Sequence, residues 1–288
     1  MRSSEGSGFA AIPCARIHED RSMAEEKIKM ELNFVKSGSS GPEVVILHGL
    51  LGSSRNWQRI TRELSAGCRV IVPDLRNHGA SPHGPHSIAA MRDDVLRLIE
   101  TNCDEPPYLA GHSMGGLAAM AVATSYAAAI ASLIVVDIVP ARRAEGLRRI
   151  LDALMELDLR TINTRGDADR ALSEKIHNPD VRQFLLQNLK RNTAGEYSWR
   201  CNLPELHRYA AEESSGLPPR AVYEGPTLVI AGGRSEYKVW EHEKLLRAHF
   251  PDMILEIFGD ASHWVHMDAP GRFVSRLREW VDEHNSKT

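Results

Sequence analysis

The chain has 288 residues, and its hydrophobic share of 42% and charged share of 25% are those of an ordinary water-soluble globular protein. Its 35 Lys and Arg residues against 38 Asp and Glu residues leave a formal charge of −3, which gives no electrostatic reason to expect nucleic acid as a partner. No stretch approaches the roughly 18 consecutive apolar residues of a membrane-spanning helix, so no membrane span is expected.

The cysteines and residues 1–26 indicate the cellular compartment in which the protein is expected. Four scattered cysteines without a Cys-x-x-Cys motif indicate neither a zinc ribbon nor a thioredoxin-like site, and favour a reducing, intracellular setting. Residues 1–26 are rich in Ser, Gly and Arg but lack the apolar segment of a secretory signal, and their acidic residues disfavour an organelle transit peptide. We expect a disordered tail on a cytoplasmic protein, with organelle import through this tail as the alternative.

After this tail, apolar runs of strand length alternate with segments of helical periodicity. Strands are predicted at residues 27–35, 43–47, 69–72, 108–110, 133–136, 227–231 and 254–258. Helices are predicted at residues 56–65, 87–100, 115–126, 240–250 and 272–284, with Ser87 as the N-cap of the second. This alternation predicts an α/β fold, in which a mostly parallel central sheet is covered by helices on both faces.

Residues 141–222 interrupt the alternation. They are rich in Arg, Leu, Glu and Asn, and their pattern predicts several helices and no strand. A helical stretch between two strands of one sheet is typical of an inserted lid. We therefore predict a core of residues 27–140 and 223–288, with a helical lid inserted at 141–222.

The motif that carries chemistry is Gly111-His112-Ser113-Met114-Gly115. It follows a predicted strand and precedes a predicted helix, which is the strand–turn–helix context of a G-x-S-x-G nucleophile elbow. Glycines are needed there because a tight, strained turn leaves no room for Cβ atoms near the serine. An ordinary glycine-rich turn is the alternative, and this context disfavours it. Ser113 is the predicted nucleophile.

A serine hydroxyl needs a base within hydrogen-bond reach, and with a nucleophile elbow the base comes late in the chain. His263 follows the last predicted strand and is the expected base. His266 is a competitor, which we expect instead to be solvated or to contact the lid. His112, beside the serine, is expected to have a packing role.

The oxyanion that forms during acyl transfer needs backbone N–H donors. Met114 follows the nucleophile and is expected to supply one of them. The loop after the second predicted strand is expected to supply the other from Leu50, with Leu51 as the fallback. His48 is expected to fix this loop rather than to transfer protons.

Four motifs together resemble the α/β-hydrolase superfamily: HGLLGS at 48–53, PDLRNHGAS at 73–81, GHSMGG at 111–116 and HWVH at 263–266. The resemblance runs from residue 27 to the C-terminus. Within the superfamily, the chain most resembles the YbfF-type esterases and their mitochondrial α/β-hydrolase domain-containing relatives. Arg234 stands where this group leads us to expect Asn, and Ser262 where we expect Gly, which bears on substrate preference rather than on reaction type.

The resemblance also implies a triad acid, for which two carboxylates compete. The superfamily usually places the acid after the strand at 227–231, where this chain offers Glu236. In the narrower group the acid corresponds to Asp137, after the strand at 133–136, and the serine corresponding to Ser235 supports the histidine. Asp137 is the predicted acid and Glu236 the alternative.

The predicted function is the hydrolysis of carboxylic esters of small to medium acyl chains through an acyl-enzyme intermediate, with no cofactor and no metal. The expected partner is a small-molecule ester, and the expected assembly is a monomer or a small homo-oligomer. Leu51, Trp199 and Trp264 are expected to line the substrate pocket. Two alternatives stay open: an acyl-thioester (acyl-CoA) hydrolase with the same machinery, and a slow-turnover ligand-binding receptor on the same fold.

Overall fold

A computed structural model describes residues 30–140, 145–211 and 216–285. Its strands are β1 (Phe34–Ser37), β2 (Glu43–Leu47), β3 (Arg69–Pro73), β4 (Tyr108–His112), β5 (Ser132–Val136), β6 (Leu189–Arg191), β7 (Tyr197–Trp199), β8 (Thr227–Gly232) and β9 (Met253–Phe258). Seven of them form one sheet in the order β1-β3-β2-β4-β5-β8-β9. All neighbours in this sheet are parallel except the edge strand β1, which is antiparallel to β3.

Ten helices accompany the strands in the described residues. They are α1 (Gln58–Leu64), α2 (Ile88–Asn102), α3 (Met114–Ser125), α4 (Glu145–Glu156), α5 (Arg165–Ser173), α6 (Pro179–Leu186), α7 (Leu203–Ala211), α8 (Glu243–His249), α9 (Val265–Asp268) and α10 (Pro270–Asn285). Short 3₁₀ turns lie at Ser54–Trp57, Ala127–Ala129, Leu159–Thr161 and Val239–His242. None of these helices is long and apolar enough to cross a membrane.

The central strands are buried along their whole length, because helices cover both faces of the sheet. Every residue of β2, β4, β5 and β8 is buried, which explains why each reads as a continuous apolar run rather than an alternating one. One hydrophobic cluster joins the sheet to α2, α3 and α8, and a second joins it to α1, α9 and α10. The predicted α/β architecture is confirmed. Ser87 caps α2 as predicted, since its hydroxyl accepts the Ala90 N–H at 3.1 Å.

The inserted region between β5 and β8 has its own hydrophobic cluster, built from α4 to α7. The prediction of a region without strands is wrong, because β6 and β7 pair as an antiparallel hairpin whose turn contains Gly195 at φ 88°. Each strand has only three residues, and β6 carries Lys190 and Arg191, so no apolar run marks them. The predicted bounds at 141 and 222 stay a prediction, and the predicted tail at 1–26 lies outside the described residues.

The parallel order brings the carboxyl ends of six strands, all but β1, to one edge of the sheet. In an open α/β sheet, this edge is where ligands bind. The loops that follow β2, β4, β5, β8 and β9 meet there. They carry every residue that the sequence offers as nucleophile, base, acid or oxyanion donor.

Candidate active site

Ser113 lies at the sharp turn from β4 into α3. Its backbone has φ 52° and ψ −120°, a conformation rare outside glycine that stores of order 1–3 kcal/mol of strain. A Cβ atom at Gly111 would come within 2.3 Å of the Gly115 carbonyl oxygen, and one at Gly115 within 2.6 Å of the His48 carbonyl oxygen. The turn therefore requires glycine on both sides of the serine, and Ser113 faces a cavity.

His263 lies in the loop between β9 and α9, and it lines the same cavity as Ser113. Its Nδ1 donates to Oδ2 of Asp137 at 2.7 Å. Because a carboxylate oxygen accepts at Nδ1, the proton of the neutral ring sits there and Nε2 is left as an acceptor. This is the tautomer that a general base for a serine requires.

Asp137 is the first residue after β5 and is 0% exposed. Its Oδ1 accepts the Gly232 N–H at 2.8 Å, and its Oδ2 also accepts the Ser235 hydroxyl. A Cβ atom at Gly232 would come within 2.1 Å of the Ser262 carbonyl oxygen, so glycine allows β8 to approach this loop. Three donors thus fix the carboxylate that faces His263.

The structure brings Asp137, Ser235 and His263 together and leaves Glu236 apart. Glu236 is exposed at the mouth of the cavity, and among the described residues its carboxylate makes no hydrogen bond to the histidine. The geometry therefore favours Asp137 over Glu236 as the acid.

Tyr237 is a neighbour of the histidine to which the sequence assigned no role. Its ring stacks on His263, with centroids 4.4 Å apart and planes at 18°. Its backbone N–H donates to Ser235 Oγ at 3.2 Å. A tyrosine two residues after a serine carries no signal of such a contact, because the contact depends on how the β8 and β9 loops meet.

The oxyanion donors can be judged from which amides are already occupied. Met114 is the first residue of α3, and an N–H at that position has no acceptor within the helix. Leu51 is engaged, because its N–H donates to His78 Nε2 at 3.1 Å. Leu50 lines the cavity, and within the described part of the chain its N–H has no acceptor. The geometry favours Met114 and Leu50, and disfavours Leu51 as the fallback.

His48 is wholly engaged with backbone groups of neighbouring loops. Its Nδ1 donates to the Gly49 carbonyl at 2.8 Å, and its Nε2 accepts the Leu75 N–H at 2.9 Å. Burial lowers the pKa of this imidazole, so it stays neutral. These bonds agree with the expected role of fixing the loop.

Two further imidazoles pack beneath the site. His112 Nε2 donates to the His263 carbonyl at 2.9 Å, and burial places the pKa of His112 well below its ordinary value. His266 is buried and stacks on Trp57, with centroids 4.0 Å apart, and burial lowers its pKa to about 3. The expectation that His266 is solvated is wrong, because the short helix α9 turns this ring inward onto the tryptophan.

The cavity has a volume of about 510 Å³, which lies in the usual range for small-molecule sites. Leu51 and Trp264 lie in its wall, whereas Trp199 does not: it sits in β7 and packs against the cluster of the inserted region. Apolar residues of α4 and α6 that the sequence did not single out complete the wall, namely Leu147, Ile150, Val181, Phe184 and Leu185. Within the described ranges, no cluster of three or more His, Cys, Asp or Glu residues could hold a metal ion.

Comparisons with known proteins agree with this architecture. Residues 44–276 match the model of a family described as "Alpha/beta hydrolase family". The chain is 33% identical over 263 residues to the sn-1-specific diacylglycerol lipase ABHD11 of Mus musculus, covering 88% of this chain and 85% of that protein. It is 29% identical over 263 residues to esterase YbfF of Escherichia coli (strain K12), covering 89% of this chain and 100% of that protein. Among solved structures, a marine microorganism esterase superposes with a TM-score of 0.83 at 33% identity, covering 87% of this chain and 99% of that chain.

Proposed function

The chain belongs to the alpha/beta hydrolase family, and we propose that it is a serine hydrolase that cleaves carboxylic esters through an acyl-enzyme intermediate. The observation that carries this proposal is the 2.7 Å contact between His263 and the buried Asp137, in a cavity that Ser113 also lines. A nucleophile, a base with the right tautomer and an orienting acid are the three parts that acyl transfer to serine needs.

The residues take the following roles in the proposed reaction. Ser113 Oγ attacks the acyl carbonyl while His263 Nε2 accepts its proton, and Asp137 stabilises the imidazolium. The Leu50 and Met114 amides bind the oxyanion. His263 then gives its proton to the departing alcohol, and in the second half of the cycle it activates the water that releases the acid.

The cavity wall bears on the substrate. Its apolar side chains, five of which come from α4 and α6, suit the acyl part of an ester of small to medium chain length. We propose that the inserted region, predicted at 141–222, acts as a lid, because its helices form one side of this cavity. The murine relative is named as a diacylglycerol lipase, so acylglycerols belong among the esters to be tested.

The test is a panel of p-nitrophenyl esters of increasing acyl length together with a diacylglycerol, with the matching acyl-CoA thioesters as a second series. Ser113→Ala should abolish ester hydrolysis and labelling by a fluorophosphonate probe while keeping the circular dichroism spectrum of the parent protein. Ser173→Ala, at the end of α5 outside the cavity, should keep both activities. Wild-type turnover in the Ser113→Ala protein would overturn the proposal. Higher kcat/KM on the thioester series would move the substrate class from esters to thioesters.

A further inference from the structure

The turn that carries Leu50 holds a residue in an unfavourable conformation. The Gly52 N–H donates to the Gly49 carbonyl at 3.0 Å, which closes a four-residue turn. Leu51 stands third in this turn with φ 61°, a position and sign that glycine or asparagine normally occupies. A leucine stays in this region only when surrounding contacts hold it there.

Two hydrogen bonds hold Leu51, one on each side of the residue. Its N–H donates to Nε2 of His78 at 3.1 Å, and its carbonyl accepts from Nδ2 of Asn188 at 2.7 Å. All three residues are buried. In a type I turn, which has no left-handed residue, the peptide between Leu50 and Leu51 is rotated. The Leu51 N–H could then not donate to His78.

His78 is held as an acceptor by its own loop. Its Nδ1 donates to the Arg76 carbonyl at 2.9 Å, which leaves Nε2 free to accept. Arg76 in turn forms a buried ion pair with Asp94 of α2, with Arg76 Nε 2.6 Å from the carboxylate. Burial sets the pKa of His78 well below its ordinary value, so the ring stays neutral at physiological pH.

Asn188 belongs to the inserted region and is fixed within it. Its N–H donates to the Leu185 carbonyl at 3.0 Å, and its own carbonyl accepts the Arg200 N–H at 2.7 Å. Its carboxamide can reach Leu51 only when the inserted region sits against the core. The lid and the oxyanion turn are therefore joined by one direct, buried hydrogen bond.

We propose that His78 and Asn188 are positioning residues that clamp Leu51 and so hold the Leu50 amide where it binds the oxyanion. The inference rests on the proposed function. Its consequence is that the inserted region must be seated on the core for the oxyanion site to form. Substrate can enter when the region lifts, but acyl transfer waits until Asn188 has returned to the Leu51 carbonyl.

Asn188→Ala tests the lid side of the clamp. We expect kcat to fall about 10- to 100-fold with KM within about twofold, because losing one oxyanion donor outright costs about 10²- to 10³-fold and a displaced donor forfeits part of that. Gln187→Ala is the matched control. It removes a neighbouring hydrogen bond between the core and the lid, in which Asn56 Nδ2 donates to Gln187 Oε1 at 2.8 Å. This change does not touch Leu51 and should leave kcat unchanged.

His78 tests the core side through a conservative pair of variants. Gln places a carboxamide oxygen near the position of Nε2, so His78→Gln should retain most of kcat, whereas His78→Leu should lose as much as Asn188→Ala. Affinity for a trifluoromethyl ketone, which forms a tetrahedral oxyanion on Ser113, should fall in proportion to kcat/KM in each variant. A purely structural role would lower the melting temperature without this proportionality.

Rates are normalised to the fraction of protein that the fluorophosphonate probe labels once labelling is complete, so that partial misfolding does not count as lost catalysis. Unchanged kcat in Asn188→Ala, or ketone affinity that does not follow kcat/KM, would overturn the clamp. Failure of the wild-type protein to label at Ser113 would instead overturn the proposed function. The two failures are thus distinguishable.

Discussion

Replacing Asp137 with Asn changes one atom beside His263 and should lower kcat about 10⁴-fold without unfolding the protein. Asn has the same shape as Asp and tolerates the left-handed backbone, here φ 49°. Its Oδ1 can still accept the Gly232 N–H, which lies 2.8 Å away in the parent protein. The fold around the residue is therefore expected to persist.

The effect arises at the other carboxamide atom. The variant places an NH₂ group where Oδ2 now lies, 2.7 Å from His263 Nδ1. Two hydrogen-bond donors would then face each other. The ring must then move its proton to Nε2, and a protonated Nε2 cannot accept the proton of Ser113. A 10⁴-fold loss corresponds to about 5.4 kcal/mol of lost transition-state stabilisation, and it should appear in kcat rather than in KM.

Initial rates on the best p-nitrophenyl ester, together with a thermal unfolding curve, measure this effect. Glu236→Gln is the matched control, since the same chemical change is made on an exposed carboxylate nearby, and it should alter kcat by less than about twofold. The reasoning is refuted if a folded Asp137→Asn protein keeps kcat within tenfold of the parent. The reverse order of the two variants would reassign the acid to Glu236.

Two other variants test buried groups around the site. Asp94→Ala should lower the free energy of unfolding, measured in urea, by about 3–5 kcal/mol. The reason is that Arg76 would remain buried and charged without the carboxylate that now lies 2.6 Å from its Nε. A decrease below about 1 kcal/mol would contradict this. His266→Phe should keep the stacking on Trp57 and make stability less sensitive to acid. An unfolded histidine takes up a proton near pH 6.5, whereas burial lowers the pKa of folded His266 to about 3. Between these two pH values, proton uptake by His266 in the unfolded state lowers the free energy of unfolding by about 1.4 kcal/mol for each unit that the pH falls. Equal acid sensitivity of the variant and the parent in unfolding curves at pH 7 and pH 5 would exclude this contribution.

The sheet could be predicted from sequence because its central strands are buried on both faces and so read as apolar runs such as Glu43–Leu47. The turn at Ser113 is equally predictable from sequence, since its glycines and the flanking strand and helix all lie within a few residues of one another. The choice between Asp137 and Glu236 as the acid could not be made from local spacing, because Asp137 and His263 are 126 residues apart. Only the order of β5, β8 and β9 in the sheet brings them together, and spacing along the chain does not carry that order.

What could not be predicted depends on the direction of single side chains. The inward turn of His266 depends on the one-turn helix α9 and on Trp57, which comes from a 3₁₀ turn near the other end of the chain. Trp199 looked like a pocket residue because tryptophan often lines pockets, yet the hairpin that holds it carried no pattern of its own. The bond from Asn188 to Leu51 likewise joins two segments with no local signal for each other.

The backbone gives an argument for the site that does not depend on motifs. Leu51, Ser113 and Asp137 are three of the five non-glycine residues with positive φ in the described ranges, and they are the residues assigned to the oxyanion turn, the nucleophile and the acid. Backbone hydrogen bonds to the next strand hold two of them: the Ser113 N–H donates to Val136 at 3.0 Å and the Asp137 N–H to Ile230 at 2.8 Å. Such conformations cost of order 1–3 kcal/mol each and persist only where the surroundings enforce them. Their convergence on one edge of a rigid sheet marks that edge as the candidate site independently of the sequence motifs.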